Sequence, residues 1–207
     1  MCGIIGSSNL ETFGYLFDQN KERGNFAYGT ARVNLSSKIS IKKSDDFSKK
    51  PRFSSDTIVY LAHLQSPTSS KREFENNTTH PFRHGNKVLA HNGVLENFEK
   101  LKEENPELNV NEVDSSIILP LIEKYGLVEA LEKLQGTFGC WMYDQETSEL
   151  FLFRSGSTIY SDGINFSSKQ PDDRWVLLKE GVIYRFNYTH VRYDEYKTFQ
   201  TSSGFFI

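Results

Sequence analysis

A cysteine directly behind the initiator methionine is the first residue of this sequence that could do chemistry. Cys2 is small enough for methionine aminopeptidase to remove Met1, so we expect the mature chain to begin at Cys2. One residue would then carry a thiol with a reference pKa of about 8.5 and an α-amine with one near 8. Because either group can exchange a proton near neutral pH, this pairing predicts a nucleophile with its own base. The alternative is a buried cysteine in an ordinary first strand.

Three further positions combine polar side chains with turn or helix signals. Asn92 and Gly93 follow an apolar strand, and Asn-Gly tolerates positive φ, so the chain is predicted to turn sharply there. Arg23 and Gly24 end a predicted helix, where the arginine could simply balance the helix dipole. Asp114 precedes another helical pattern and fits the N-cap position. These structural roles are the alternatives to the functional roles considered below.

The composition limits the classes of partner. A chain of 207 residues with 37% hydrophobic residues suits one globular domain, and a fold of this size buries about 70% of its unfolded surface. The net charge of -3 argues against nucleic acid or an anionic membrane as partner. No segment resembles a signal peptide or reaches the roughly 18 apolar residues of a membrane helix. We therefore expect a cytoplasmic protein with no membrane partner.

The remaining histidines and cysteine suggest no further site. The five histidines lack metal-ligand spacing, so we expect neither a metal ion nor another cofactor. His63 and His91 lie at predicted strand ends, and we expect structural roles for both. Cys140 lies in an apolar strand and is most simply an inert core residue; two cysteines cannot form a disulfide framework.

Hydrophobic periodicity predicts the elements that must position these residues. Apolar runs predict a first strand behind Met1 and strands at 57–62 and 88–90. Two strand pairs are predicted, at 136–144 with 149–154 and at 175–178 with 182–186. Helical spacing predicts helices at about 10–22, from 114 with a kink at Pro120, and at 127–134. This order indicates strand sheets with helices packed outside them, not alternating βα units.

Four segments together resemble the class II glutamine amidotransferase, or N-terminal-nucleophile, glutaminase domain: Met1–Gly6, Arg23-Gly24 with Gly29, His91-Asn92-Gly93 and Asp114. Within this class the pattern is most similar to glutamine–fructose-6-phosphate aminotransferase. The resemblance runs from residue 1 to about 186, and Arg154–Ile159 is similar to a late segment of the family pattern. It implies an α+β fold, the four-layer αββα sandwich of N-terminal-nucleophile hydrolases. It also implies a single amidotransferase domain over residues 1–207.

The resemblance implies a role for each polar residue. Cys2 would attack the side-chain amide of glutamine, with its own α-amine as the proton acceptor. The Asn92 side chain and the Gly93 backbone N–H would form the oxyanion hole. Arg23 matches the family's arginine near the nucleophile, and Asp114 matches the carboxylate that holds the glutamine α-ammonium.

The sequence departs from the family in the loop after His63. Gln65 replaces an arginine that grips the α-carboxylate of glutamine in a bidentate pair, and Ser66 replaces a tryptophan. Gln65 can offer hydrogen bonds but no charge, while Thr68 matches a family threonine that contacts the substrate. Either Lys71 or Arg72 substitutes for the missing cation, or free glutamine is not held in the usual way.

The sequence therefore predicts a glutaminase that releases ammonia through a Cys2 thioester. Since the resemblance uses most of the 207 residues, we expect the ammonia-accepting synthase to lie on a separate chain. One alternative is a stand-alone amidase acting on a γ-glutamyl compound. Another is a non-catalytic binding or regulatory module, which Gln65 favours and the intact Cys2 and Asn92 oppose.

Overall fold

The structure is a computed structural model that describes residues 2–48, 56–66, 73–187 and 190–201. Its strands are β1 (Gly3–Ser7), β2 (Ala27–Asn34), β3 (Ile39–Ser44), β4 (Thr57–Gln65), β5 (Phe82–His84), β6 (Lys87–Leu95), β7 (Gly136–Asp144), β8 (Glu149–Ser155), β9 (Tyr160–Ser161), β10 (Phe166–Ser167), β11 (Val176–Leu177), β12 (Val182–Asn187) and β13 (Arg192–Thr198). Its helices are α1 (Leu10–Asn20), α2 (Phe98–Glu104), α3 (Ile118–Tyr125), α4 (Leu127–Lys133) and a 3₁₀ helix at Asp114–Ile117.

The strands form two sheets whose neighbouring strands are antiparallel. One sheet has the order β11-β9-β10-β1-β4-β2-β3, and the other has the order β13-β12-β8-β7-β6-β5. β1 lies at the centre of the seven-stranded sheet, so Cys2 enters the fold directly before a central strand. None of the helices in the described ranges is long and apolar enough to cross a lipid bilayer.

Side chains that alternate along the strands fill three apolar layers. Ile4 and Trp141 belong to the core between the two sheets. Ile5 faces the other way and packs with Phe13 of α1, while Cys140 faces α3 and α4. Each fully buried large apolar side chain contributes about 1.5–3 kcal/mol. The layers are therefore helix, sheet, sheet, helices, and the predicted α+β αββα sandwich is confirmed.

The predicted turn after Ala90 is wrong. β6 continues through Asn92 and Gly93, which pair with Gly139 and Phe138 of β7. Gly93 has φ +151°, and a Cβ at this position would collide with the carbonyl oxygen of Thr137. Glycine is thus needed here for the close approach of two paired strands, not for a reversal of the chain.

The predicted pairing of segments 175–178 and 182–186 is also wrong. Val176–Leu177 pairs with β9 in the seven-stranded sheet, whereas Val182–Asn187 pairs with β8 and β13 in the other sheet. The connection between them crosses from one sheet to the other. Arg154 holds it there by donating to the Leu178 carbonyl oxygen at 2.7 Å.

The helical segment after residue 113 begins as a 3₁₀ helix and becomes α-helical at Ile118. Pro120 consequently lies in the first turn of α3, a place where a helix tolerates proline. The sequence predicted a kink at Pro120, and the structure instead has a change of helix type just before it.

Candidate active site

Cys2 lies half-buried in a cavity of about 420 Å³ that both sheets line. The described residues around it are Cys2, Arg23, Ser66, Asn92, Gly93, Val94, Thr137 and Gly156–Thr158. The backbone N–H of Ser66 donates to the Cys2 sulfur at 3.4 Å. The Cys2 thiol in turn points at the Ser66 carbonyl oxygen, 4.0 Å away, so the backbone of Ser66 contacts the sulfur with both its donor and its acceptor. We call this space the Cys2 cavity.

Arg23 reaches the nucleophile from the turn that follows α1. Its backbone N–H donates to the Asn20 carbonyl oxygen, and a Cβ on Gly24 would collide with the Leu64 carbonyl, so only glycine allows this close turn. The Arg23 Nε donates to the carbonyl oxygen of Cys2 at 2.9 Å. Burial lowers the pKa of the Arg23 guanidinium, while nearby Cys2 and Tyr160 oppose that shift. The guanidinium therefore orients Cys2 in addition to lining its cavity.

Asn92 and Gly93 both lie on the wall of the Cys2 cavity. The Asn92 side chain is buried, and its Nδ2 donates to the Ser168 Oγ at 3.2 Å. The continuous β6–β7 ladder fixes the backbone at both positions. The two residues assigned to an oxyanion hole thus share one cavity with the thiol.

His91 lies on the opposite side of β6 from this cavity and links β6 to two other elements. Its Nδ1 is 2.7 Å from the Ser115 Oγ, and its Nε2 is 3.2 Å from the Thr137 carbonyl oxygen. Burial lowers the pKa of His91, against the opposing influence of Asp114 and the Thr137 carbonyl. The ring is therefore neutral at pH 7, with Nε2–H donating to Thr137 and Nδ1 accepting from the Ser115 hydroxyl. The single proton of that hydroxyl then goes to the shorter contact, 2.7 Å from His91, and not to the Asp114 Oδ1 at 3.2 Å.

His63 is fully buried next to this network. Its Nε2 is 3.0 Å from the His91 carbonyl oxygen, and its ring stacks on His80 with ring centroids 4.0 Å apart. Neither His63 nor His91 lines the Cys2 cavity. Within the described part of the chain, no group of three or more His, Cys, Asp and Glu side chains could hold a metal ion.

Asp114 joins the end of β6 to the 3₁₀ helix. Its Oδ2 accepts from the Leu95 N–H at 2.8 Å, and its Oδ1 accepts from the Ser115 N–H at 2.7 Å. The N-cap residue of the 3₁₀ helix is Val113, so the N-cap alternative for Asp114 is wrong. These two bonds hold the carboxylate in one orientation.

Asp114 lines a second cavity, of about 560 Å³, that shares Gly93 and Val94 with the Cys2 cavity. Six carboxylates of the described chain line it: Glu73, Glu75, Glu96, Glu99, Glu112 and Asp114. This environment suits a positively charged group such as an α-ammonium. The two cavities together could hold a molecule with an ammonium at one end and an amide near Cys2.

Gln65 is 2% exposed at the end of β4 and does not line either cavity. Its neighbour Ser66 contacts Cys2 instead. Thr68, Lys71 and Arg72 lie outside the described residues.

Arg154 and Ser168 have structural roles at the site. The buried Arg154 donates from Nε to the Ser157 carbonyl oxygen at 2.6 Å and pairs with Glu180, which fixes the wall at Gly156–Thr158. The sequence singled out this segment but not what Arg154 does. Ser168, the hydrogen-bond partner of Asn92, was missed because it follows the short β10, which the sequence pattern does not reveal.

Comparison with known sequences identifies related proteins. Residues 73–160 match the family model of the glutamine amidotransferase domain. Glutamine–fructose-6-phosphate aminotransferase of Haemophilus ducreyi is 31% identical over 145 residues, which cover 59% of this chain and 23% of the relative. The same enzyme of Listeria monocytogenes is 29% identical over 202 residues, which cover 87% and 33%. The chain thus spans a third or less of the length of these relatives.

Solved structures share the fold. Glutamine phosphoribosylpyrophosphate amidotransferase of B. subtilis, complexed with ADP and GMP, has a TM-score of 0.72 at 17% identity, covering 96% of this chain and 49% of that one. A glutamine aminotransferase class-II domain protein of Silicibacter pomeroyi has a TM-score of 0.61 at 13% identity, covering 97% and 100%. The chain therefore shares the N-terminal-nucleophile hydrolase fold of class II glutamine amidotransferases, and its sequence is similar to that of glutamine–fructose-6-phosphate aminotransferase.

Proposed function

We propose that this domain, over residues 1–207, hydrolyses the side-chain amide of glutamine through a thioester on Cys2 and passes the ammonia to a synthase on another chain. The observation that supports this most is that Cys2, Asn92 and Gly93 line one cavity. A nucleophile and donors for a developing oxyanion must meet at one reacting carbon, which is the arrangement that acyl transfer from an amide requires.

The chemistry begins once Met1 has been removed. The α-amine of Cys2 takes the thiol proton, and the sulfur attacks the Cδ carbon of glutamine. The carbonyl oxygen becomes an oxyanion, which accepts hydrogen bonds from the Asn92 side chain and the Gly93 N–H. The Cδ–N bond then breaks, the ammonium of Cys2 returns its proton to the leaving nitrogen, and ammonia departs. Water, deprotonated by the same amine, hydrolyses the thioester to glutamate and restores the thiol.

Substrate orientation follows from the two adjoining cavities. Asp114 holds the α-ammonium of glutamine, because its fixed carboxylate lines the acidic cavity beyond Gly93. The α-carboxylate lies towards Ser66, whose backbone N–H contacts Cys2. Arg23 supplies positive charge to the Cys2 cavity.

The proposed synthase accepts ammonia before it is lost to water by protonation. The similarity to glutamine–fructose-6-phosphate aminotransferase, an enzyme named for the transfer of an amino group from glutamine to an acceptor, supports a synthase as the recipient of the ammonia. A reducing compartment such as the cytoplasm keeps the chemistry possible, because both Cys2 and Cys140 are thiols. Co-purification of the chain with a second protein, followed by its identification, tests the partner.

A glutamate-release assay tests the activity. We expect wild type to release glutamate and ammonia from glutamine, and Cys2→Ala to release neither. Cys140→Ala is the matched control, because it removes the other thiol, which is buried in the core away from the cavity, and it should stay active. Turnover of a γ-glutamyl anilide but not of glutamine would favour the stand-alone amidase, and no turnover of either would favour the non-catalytic module.

A further inference from the structure

Ser168 connects the two sheets beside the Cys2 cavity. It is 1% exposed and follows β10 directly. Its N–H donates to the Ile4 carbonyl oxygen at 2.9 Å, and its Oγ accepts from the Ile4 N–H at 3.0 Å. The same Oγ accepts from the Asn92 Nδ2 at 3.2 Å. One buried hydroxyl therefore ties the strand that begins after Cys2 to a residue of the opposite sheet.

The backbone of Ser168 adds a third link. Its carbonyl oxygen accepts from the Thr158 Oγ1 at 2.8 Å, and Thr158 lines the Cys2 cavity. Ser168 itself does not line that cavity. Any effect on catalysis must therefore pass through the residues that it holds.

The Ser168 hydroxyl constrains the orientation of the Asn92 carboxamide. A serine oxygen has two lone pairs, and the N–H groups of Ile4 and Asn92 use both. The Asn92 carboxamide has two N–H bonds on Nδ2, so one is spent on Ser168 and the other remains. Since Asn92 is 5% exposed, bulk water does not readily replace this contact, and the bond to Ser168 sets the direction of the second N–H.

We propose that Ser168 is a positioning residue for catalysis: its hydroxyl orients the Asn92 carboxamide so that the second N–H meets the oxyanion formed at Cys2. The inference rests on the proposed glutaminase function. It assigns to the contact between the sheets a role in stabilising the transition state, because the oxyanion is absent from the bound substrate and develops only as the sulfur attacks.

The expected effect is a loss of rate with little loss of substrate binding. Removing an oxyanion-hole donor outright costs about 10²–10³ in kcat. Ser168→Ala leaves the donor present but loosely oriented, so we expect a loss of about 10- to 100-fold in kcat and a KM within about twofold of wild type.

A double-mutant cycle separates this role from a merely structural one. We would measure kcat for glutamine in wild type, Ser168→Ala, Asn92→Ala and the double variant. If Ser168 acts through Asn92, Ser168→Ala should cost less than about twofold once Asn92 is already alanine. An equal loss in both backgrounds would overturn the proposal, because Ser168 would then act through Ile4 or through general stability.

Ser167→Ala is the matched control. Ser167 is fully buried in the same segment, but its Oγ accepts from the Asn20 Nδ2 at 2.9 Å and from the Lys169 N–H at 3.1 Å, not from Asn92. It should keep a kcat within about threefold of wild type. A loss equal to that of Ser168→Ala would show that any buried hydroxyl here matters, and would overturn the proposal. Should Ser168→Ala fail to fold, Ser168→Cys enters the same cycle, since sulfur is a weak acceptor of similar shape.

A measurement without turnover distinguishes this proposal from the proposed function. The side-chain amide signals of Asn92, identified by NMR through their loss in Asn92→Ala, should be well ordered in wild type and mobile in Ser168→Ala. If the amide becomes mobile in Ser168→Ala but wild type releases no glutamate, the contact is established and the glutaminase function is rejected. Unchanged order of the amide in an active enzyme would reject the positioning role alone.

Discussion

Ser66 donates its backbone N–H to the sulfur of Cys2 across 3.4 Å. The contact arises from strand pairing, since Gly3 of β1 lies opposite Leu64 of β4 and so brings the residue before β1 beside the residue after β4. The family tryptophan is replaced by serine at this position, but the donor belongs to the backbone. This part of the site therefore survives a change of side chain.

Gly93→Ala tests the close approach of β6 and β7. The added Cβ would collide with the Thr137 carbonyl oxygen at a φ of +151°, so we expect a glutaminase rate at least about 100-fold lower and a clear loss of stability. Urea unfolding and glutamate release measure the two effects. Gly163→Ala is the control, because Gly163 also has a positive φ, +96°, but a Cβ there meets no atom within 4 Å. Equal behaviour of the two variants would show that the collision at Gly93 has no consequence.

Asp114→Asn tests the proposed contact with the α-ammonium of glutamine. Loss of a charge-assisted contact costs about 1.5–3 kcal/mol, so KM for glutamine should rise about 10- to 100-fold while kcat changes less. Steady-state kinetics give both constants, and unfolding curves report the separate cost to the bond from Leu95. Glu104→Gln on the surface of α2 is the control. An unchanged KM in Asp114→Asn would move the ammonium site elsewhere.

The pKa of His91 predicts a pH dependence of stability. Burial lowers the pKa of His91 in the folded state, so as the pH falls the unfolded state takes up a proton at this position before the folded state does. The stability that comes from the neutral ring is therefore present above the unfolded-state pKa of about 6.5 and is lost as the pH falls below it. At pH 8 the neutral ring keeps its bonds to Ser115 and Thr137, so His91→Gln should destabilise the protein there by about 1–3 kcal/mol.

The difference in unfolding free energy between wild type and His91→Gln should shrink between pH 8 and pH 5, because only wild type titrates at this position. Urea unfolding at each pH measures it. His84→Gln is the control, since His84 is partly exposed and pairs with Glu123 at the surface. A difference that stays constant with pH would contradict the assignment of a neutral, buried ring.

Strands and their partners differ in how far the sequence could predict them. Apolar runs such as Gly136–Asp144 indicate strands, because a strand that is buried on both faces needs apolar residues at most of its positions. The partner of a strand is a non-local choice, so the continuation of β6 through Asn92 and the separation of β11 from β12 were not predictable. Two-residue strands such as β9 and β10 have too few residues to show a period.

The residues of the candidate site also differ in how far the sequence could predict them. Cys2, Asn92 and Gly93 could be proposed as site residues because each lies in a short contiguous motif, whereas Asp114 was proposed as a single residue that matches the family pattern. Ser168 contacts Asn92 across 76 positions, and no local pattern indicates such a bond.

Gln65→Arg tests the departure from the family pattern. If no other cation compensates, wild type should bind free glutamine about 10- to 100-fold more weakly than the variant, mainly through KM. Because position 65 is 2% exposed, a new guanidinium should also lower thermal stability without glutamine, and glutamine should restore part of it. Kinetics and melting curves with and without glutamine measure these effects. A micromolar KM in wild type that Gln65→Arg does not lower further would contradict this prediction. Another residue would then bind the α-carboxylate, and Lys71 and Arg72 would be the next positions to mutate.

Peptide mass mapping after reaction with a glutamine-mimicking electrophile, 6-diazo-5-oxo-norleucine, tests the central claim most directly. Cys140 is fully buried, and burial raises the pKa of its thiol well above the usual value, so it should not react. We predict one adduct, on Cys2 of a chain that has lost Met1, together with the complete loss of glutaminase activity. An adduct on Cys140, or full activity in a protein that retains Met1, would contradict Cys2 as the N-terminal nucleophile.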